Sequence, residues 1–440
     1  VSKSQKTQNA TVGLQNDPLS FGREDILKTM RRRILSFGTM APFVALTLGV
    51  SLSSAQAEDG MDIDFDFSAE VGLESRIFPE EAQHAGQDDD HLTGSVFLEP
   101  EFVLEFGGGD HRFTVIPFAR FDSHDSNRTH FDLREANFRV LQPEWDVLLG
   151  LGKVYWGKTE SRHLVDIINQ TDLVESPDGE DKLGQPMLNF NYYTDYGDFA
   201  AFVLPGFREQ TFPGEKGRLR AGYEVNVDHP VYESNQENLH VDFAGRYAVT
   251  LGDWDLGLSH FWGTGREARL VREQQSNGTI VLTPHYDLIH QTAFDGQLTT
   301  GPWLLKAEAM TRSGQGRRFF AGVAGFEYTF FDMDGADLGL LAEYLYDGRD
   351  SHAPQTAFED DFFVGSRLAL NDEASTEGLI GAIIDRTTGA TAMSVEAERR
   401  IGESYKAEIE GQVYLHAPDE DAFSAFRQDH HITLRLTRYF

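Results

Sequence analysis

Carboxylates spaced two residues apart are the most conspicuous chemical pattern in this chain. Asp64, Asp66 and Glu70 alternate with Ile63, Phe65, Phe67, Ala69 and Val71, and Glu99, Glu101 and Glu105 alternate with Leu98, Pro100, Phe102, Leu104 and Phe106. Far along the sequence Glu396 and Glu398 alternate with Val395 and Ala397, and Glu408 and Glu410 with Ala407 and Ile409. Successive side chains of an extended strand point to opposite faces, so each segment carries one acidic and one apolar face. Carboxylates gathered on one face do electrostatic work: they concentrate cations and repel anions. Arg120, Arg134, Arg139, Arg208, Arg218 and Arg220 supply the opposite sign. Set against the acidic wall, they would make a basic patch and a transverse field across the space between.

Catalysis has weaker support. Ser276-Asn-Gly278 with His285 and His290 is the nearest approach to a serine-hydrolase set. Asn-Gly is first of all a hairpin turn, and no enzymatic activity is expected. Asp332-Met-Asp-Gly-Ala-Asp337 has part of a calcium-loop spacing but lacks the later oxygen ligands and the closing glutamate, and reads as a turn. His430 and His431 are adjacent on a strand, so their side chains point to opposite faces. Neither a metal nor a cofactor is expected.

Composition narrows the class. With 0 cysteines the chain has no disulfide or thiolate chemistry, and a net charge of -33 makes nucleic acid an unsuitable partner. Hydrophobic residues are 40% of the chain, too few and too scattered for helical membrane spans. A strand with one oily and one wet face hides its apolar half in alternation, so a membrane barrel keeps such a composition.

The elements that must hold these residues follow from the same alternation. Segments 62–74, 96–106, 111–122, 129–140, 145–156, 187–195, 198–205, 239–250, 253–263, 285–298, 302–312, 318–330, 336–346, 359–370, 377–386, 390–400, 404–415 and 428–440 read as strands. The connections between them alternate between short and long, the rhythm of an antiparallel up-and-down transmembrane barrel. The expected fold is therefore all-β, with about 18 strands and 16 as the alternative count. The alternative arises because the connection 264–284 contains a hairpin signal at Ser276-Asn-Gly278. Upstream, Met30, Arg31-Arg32-Arg33, an interrupted apolar run from Ile34 to Leu52, and Ala55-Gln-Ala57 form the three-part pattern of a secretory signal peptide. Residues 1–29 then read as a leader or a mis-assigned start, 30–57 as the signal peptide, and 58–440 as the barrel.

One connection is too long for a turn. After Trp145-Asp-Val-Leu-Leu-Gly-Leu-Gly-Lys-Val-Tyr-Trp156, roughly thirty residues run to Pro186. Leu164, Ile167, Ile168 and Leu173 recur there at near-helical spacing, which predicts a short helix on the wall. Its charges, Lys158, Glu160, Arg162, Asp166, Asp172, Glu175, Asp178, Glu180, Asp181 and Lys182, would face the remaining gap. In a barrel such a loop finds partners for irregular backbone in the water-filled interior, and it is expected to fold in as a constriction.

The C-terminus carries the last signal. Ile432, Leu434, Leu436 and Phe440 share one face of the final strand and resemble the signal by which outer-membrane barrels are handed to their assembly machinery; Arg438 departs from that pattern. As a whole, residues 58–440 resemble a porin-type outer-membrane β-barrel of Gram-negative bacteria. In general porins the constriction loop follows the fifth strand, as the 157–186 loop does here. Segments Lys153–Glu160, Asp178–Pro186 and Leu204–Gly214 are similar to stretches in uncharacterised members of the class. The resemblance implies an outer-membrane location, lipid and lipopolysaccharide contacts, and passage of small hydrophilic solutes, to which the acidic wall adds a preference for cations. A homo-oligomer is compatible with it. The competing reading is a non-transport surface barrel that binds lipopolysaccharide, cations or another cell through its long loops.

Overall fold

Alternation becomes strand almost everywhere it was read. The computed structural model describes residues 62–440, so the leader and signal-peptide expectations lie outside the described residues. The strands are β1 (Ile63–Ile77), β2 (Leu92–Phe106), β3 (His111–Asp122), β4 (His130–Leu141), β5 (Trp145–Gly152), β6 (Gln185–Thr194), β7 (Gly197–Pro205), β8 (Val231–Tyr232), β9 (Val241–Leu251), β10 (Trp254–Thr264), β11 (Arg269–Gln274), β12 (Ile280–Tyr286), β13 (Leu288–Thr300), β14 (Trp303–Gly314), β15 (Gly316–Met333), β16 (Ala336–Asp347), β17 (Asp360–Ala369), β18 (Glu377–Asp385), β19 (Thr391–Ile401), β20 (Tyr405–His416) and β21 (His431–Tyr439).

Eighteen of them form one antiparallel sheet that closes on itself, since β1 pairs with β2 on one side and with β21 on the other. Ile63 faces Phe106 and Phe67 faces Phe102 in the first pairing, and Leu73 faces Leu436 in the closing one. The register keeps apolar side chains together on the outer face. Ile63, Phe65 and Phe67 are 51%, 46% and 43% exposed, which no water-soluble strand face of that composition would sustain. Closure leaves no strand edge unpaired in the apolar band. Ile432, Leu434 and Phe440 are exposed on the same outer face, and Arg438 lies over the Phe440 ring at 4.4 Å.

The hairpin foreseen around Ser276 exists, but outside the barrel. β11 and β12 pair across the Gln275–Thr279 turn, and β12 takes β8 as a third strand. The barrel therefore keeps eighteen strands, and the sixteen-strand alternative falls. The same arrangement splits the expected strand 285–298: His285 belongs to β12, while His290 lies exposed on β13. The Asp332–Asp337 segment is the turn between β15 and β16, with the Asp332 N–H donating to Asp337.

The inner face departs from expectation. From β5 through β17 it carries Leu148, Met187, Phe202, Leu204, Phe261, Ile289, Met310, Phe319, Leu341 and Leu345, all buried. Over this arc the inner face mixes these apolar side chains with buried charges such as Asp242, Asp295, Glu308 and Glu343, because something other than water fills the lumen beside it.

Candidate functional site: a loop across the lumen

β5 ends at Gly152, four residues before the expected boundary, because the chain leaves the wall there. Asn169 makes the departure stable: its Oδ1 accepts the Val154 N–H (2.8 Å), and its Nδ2 donates to the Gly152 and Leu183 carbonyls (both 2.9 Å). One amide thus ties the outgoing and returning limbs together. Gly184 lets the return limb press against the wall, since a Cβ there would lie within 2.9 Å of Leu151 Cγ and closer still to the Arg134 carbonyl. Residues 161–174 do not form the expected helix; they run in turns and extended segments with a bridge from Thr171 to Lys182. The apolar spacing that suggested a helix belongs instead to side chains of an irregular chain packed on the wall.

From this base the loop reaches two opposite walls. On β14 the Glu308 carboxylate accepts three loop N–H groups, from Lys158 (2.6 Å), Thr159 (3.1 Å) and Val165 (3.2 Å). On β16 Glu343 accepts from the Glu160 and Ser161 N–H groups (both 2.8 Å) and from the Ser161 hydroxyl (2.5 Å). Glu160 pairs with Arg367 (2.7 Å) and Lys306 (3.4 Å), and Arg162 with Asp347 (3.0 Å). About half the barrel circuit away, on β3 and β4, the polarity reverses. Arg120 donates twice to Glu175 (3.0 and 2.6 Å), and Arg134 donates to Asp172 (2.5 Å). Arg76 adds a bond to the Glu175 carbonyl (2.8 Å).

Between these anchors Leu164, Val165, Ile167 and Ile168 pack on the apolar inner arc with Trp156, and Val165 and Ile168 are 0% exposed. Burying each such side chain stabilises the docked loop by about 1.5–3 kcal/mol. Two further wall groups meet the loop backbone: Gln291 donates to the Leu164 carbonyl (3.1 Å) and Arg266 to that of Ile168 (3.1 Å). The loop's charges therefore do not line a gap as expected. Lys158 contributes its backbone, Asp166 and Lys182 pair with each other (3.2 Å), the Asp181 carbonyl accepts the Asp172 N–H (2.7 Å), Asp178 accepts from the Ser176 hydroxyl (2.7 Å), Glu180 pairs with His163 (3.2 Å), and Glu160, Arg162, Asp172 and Glu175 are bound to the walls.

Titration follows from these contacts. Burial by itself raises the Glu175 carboxyl, but Arg120, Arg128 and Arg134 outweigh it and lower its pKa to about 2. Burial disfavours protonated His163, yet Glu180 (3.2 Å) and Glu308 (3.9 Å) push its pKa up to about 10.

A second layer lies over the loop at the same end of the barrel. Thr211 donates to Asp172 (2.5 Å), Arg208 to Asp132 (2.7 Å) and to the Gly184 carbonyl (3.2 Å), and the Gly214 N–H to Asp125 (3.1 Å). Arg218 is held by Asp429 (2.8 Å), and Arg220 by the carbonyls of Glu215, Ala221 and Ala85. The six arginines expected as one patch across from the acidic wall are thus dispersed. Arg120 and Arg134 adjoin that wall on β3 and β4, Arg139 is register partner to Arg112 near the short turns, and Arg208, Arg218 and Arg220 stitch loops together.

The acidic residues do share one stretch of inner wall, since β19, β20, β21, β1 and β2 are consecutive around the barrel. Glu396 is register partner to Glu410, Glu398 to Glu408, and Asp64 to Glu105. Part of the charge is compensated: Lys406 pairs with Glu398 (3.0 Å) and Glu408 (2.7 Å), Arg435 with Glu410 (2.5 Å), and Arg112 with Glu105 (2.5 Å). Ser68 donates to Glu101 (3.3 Å), and Asp66, Glu70 and Glu99 lie on the same inward face. The sequence reading overlooked the decisive wall groups Glu308, Glu343, Arg76 and Arg128. Glu308 and Glu343 are visible in the sequence as charges on the inward parity of strands with apolar neighbours, Arg76 as an inward charge on β1, whereas Arg128 lies in the connection between β3 and β4, where alternation gives no signal.

Neither a protein-family model nor a curated protein matches the sequence. Solved structures do. Wzi of Escherichia coli, an outer-membrane protein described as involved in group 1 capsule assembly and as a carbohydrate-binding β-barrel, aligns at 12% identity over 84% of each chain with a TM-score of 0.50. OpdO of Pseudomonas aeruginosa aligns at 11% identity over 86% of this chain and 96% of its own, also with a TM-score of 0.50. The fold is that of a porin-like outer-membrane β-barrel. A BenF-like porin from Pseudomonas fluorescens Pf-5 aligns at 8% identity over 86% of this porin-like chain and 98% of its own, with a TM-score of 0.48.

Proposed function

We propose that this protein is an outer-membrane surface barrel whose lumen is closed by its own loop and whose long loops bind lipopolysaccharide. The observation that carries this reading is the double anchoring of the 153–184 loop. One side of it is ion-paired to β3 and β4, the other is hydrogen-bonded to β14 and β16, and the middle is packed on an apolar arc. A constriction built for diffusion keeps a wet face toward the solute; this loop commits Glu160, Arg162, Asp172 and Glu175 to the walls and pairs Asp166 and Glu180 within itself. The description of Wzi as a carbohydrate-binding barrel supports a binding role for this architecture. The row of exposed Ile432, Leu434 and Phe440 with half-buried Leu436 is taken as the address for the barrel assembly machinery.

Planar-bilayer recording of the purified barrel, paired with retention of lipopolysaccharide on the folded protein, tests the reading. Silent insertions with retained lipopolysaccharide are expected; steady ohmic steps without retention would overturn it.

The second reading is a cation-preferring channel for small hydrophilic solutes, favoured by the facing carboxylate pairs Glu396–Glu410 and Glu398–Glu408 in the half near the short turns. It requires steps whose reversal potential in a KCl gradient favours cations and whose preference fades as the Debye length falls from about 30 Å at low salt to about 3 Å at 1 M.

A further inference from the structure

Two groups of possible metal ligands converge among the described residues, and their surroundings separate them. In the first, His130 joins Asp172 and Glu175, but Arg134 and Arg120 already hold both carboxylates (2.5 and 2.6 Å), so an entering cation would meet guanidinium charge. In the second, Asp88 and Asp90 from the β1–β2 connection meet His124 from the β3–β4 connection, at the long-loop end of the barrel. Among the described residues neither aspartate pairs with an arginine or lysine. Their ion-pair partner is His124 Nε2, 3.9 Å from Asp88 and 2.9 Å from Asp90.

The spacing suits a metal. With bonds of about 2.1 Å, tetrahedral zinc sets its ligand atoms about 3.4 Å apart. The two distances from His124 Nε2 bracket that value, and all three ligand atoms lie within 4.8 Å of one another. The ring is also aimed. Ser123 Oγ, fixed by the Gly94 N–H (2.9 Å), stands at His124 Nδ1. By accepting the Nδ1 proton it leaves the Nε2 lone pair turned to the aspartates, the tautomer that a metal needs. A lone pair and a carboxylate 2.9 Å apart require positive charge between them, and the second carboxylate favours a divalent ion over a proton.

The frame is fixed by three connections. The His124 N–H donates to Asp122 (3.0 Å), which Arg128 holds (2.9 Å), and the Asp88 N–H donates to the Lys216 carbonyl (3.0 Å). The Asp90 side chain is 72% exposed, so the group is open to solvent. Two carboxylates and one imidazole suit Zn2+ better than Ca2+ or Mg2+, which take oxygen ligands.

We propose that Asp88, Asp90 and His124 form a zinc-type divalent cation site, with a fourth position open to water, that ties the β1–β2 connection to the β3–β4 connection. The site goes beyond the surface-binding reading and holds whether or not the barrel conducts. Asp90 and His124 lie 34 residues apart in the chain, which is why no metal is expected from the sequence alone.

Calorimetric titration of the folded, tag-free barrel, stripped with EDTA and returned to chelator-free detergent buffer, tests the assignment with ZnCl2 and CaCl2. One Zn2+ per barrel is expected to bind saturably and to resist displacement by excess Ca2+. Asp90→Asn and His124→Gln should each weaken Zn2+ by at least about tenfold. His290→Gln, on the lipid-facing wall 6.1 Å from the His260 ring, should leave it unchanged. None of the three residues is buried, so gel mobility before boiling should stay that of the folded barrel in every variant. Absence of saturable Zn2+ binding, unchanged affinity in either Asp90→Asn or His124→Gln, displacement by Ca2+, or loss of binding in His290→Gln would overturn the proposal.

Discussion

The two attachments of the inserted loop are built differently. At β3 and β4 the loop offers side chains, Glu175 and Asp172, to wall arginines. At β14 and β16 the wall offers carboxylates, Glu308 and Glu343, to loop backbone. The first attachment rests on loop side chains, whereas the second rests chiefly on loop N–H groups set by its path, with the side chains of Glu160, Ser161 and Arg162 added. Charge pairs fix the register of the loop, and the backbone clamp with its apolar neighbours fixes its depth.

Removing residues 161–181 takes away the pairs to β3 and β4, the Ser161 and Val165 contacts of the clamp and the apolar middle of the loop, and should have the largest effect, opening conducting steps in an otherwise silent barrel. A conductance unchanged from that of the intact barrel would mean that the loop does not close the lumen. Next in size, Glu308→Ala strips three buried N–H groups of their acceptor and should cost loop docking about 3–5 kcal/mol, read as rapid proteolysis within 157–182. Lys158→Ala, on the same contact, should change docking by less than about 0.5 kcal/mol, because only the Lys158 backbone is used. Equal effects of the two would collapse the distinction between the attachments. Glu175→Gln should cost about 2–3 kcal/mol, since it leaves Arg120 buried beside a neutral amide.

The sharpest test of the two sides is in pH. Glu175 has a folded pKa of about 2, below the ordinary 4.5, so its contribution is complete above 4.5 and is lost as pH falls toward 2. His163 has a folded pKa of about 10, above the ordinary 6.5, so its contribution is complete below 6.5 and is lost as pH rises through 10. Acid should therefore loosen the β3–β4 side and alkali the β14 side. Proteolysis of the loop against pH should show both limbs. His163→Gln should flatten the alkaline limb alone; if that limb persists, His163 is not its cause.

What could be read without the fold was whatever depends on near neighbours along the chain. Alternation from Ile63 to Leu73 dictates a strand with one oily face, and a run of such strands with alternating turn lengths dictates a closed barrel, because lipid tolerates no open edge. The length of the segment after Trp156 likewise marked it as an insertion. Contacts across the lumen were beyond that reading. Leu164, Ile167 and Ile168 have a helical spacing that their own segment does not use, since the partners that bury them, such as Ile289 and Met310, lie more than a hundred residues away. Arg218 and Arg220 looked like lumen charges, yet Asp429 and Ala85 hold them among the loops. Which wall an inward side chain meets is set by barrel closure and by the loop path, and those are properties of the tertiary structure alone.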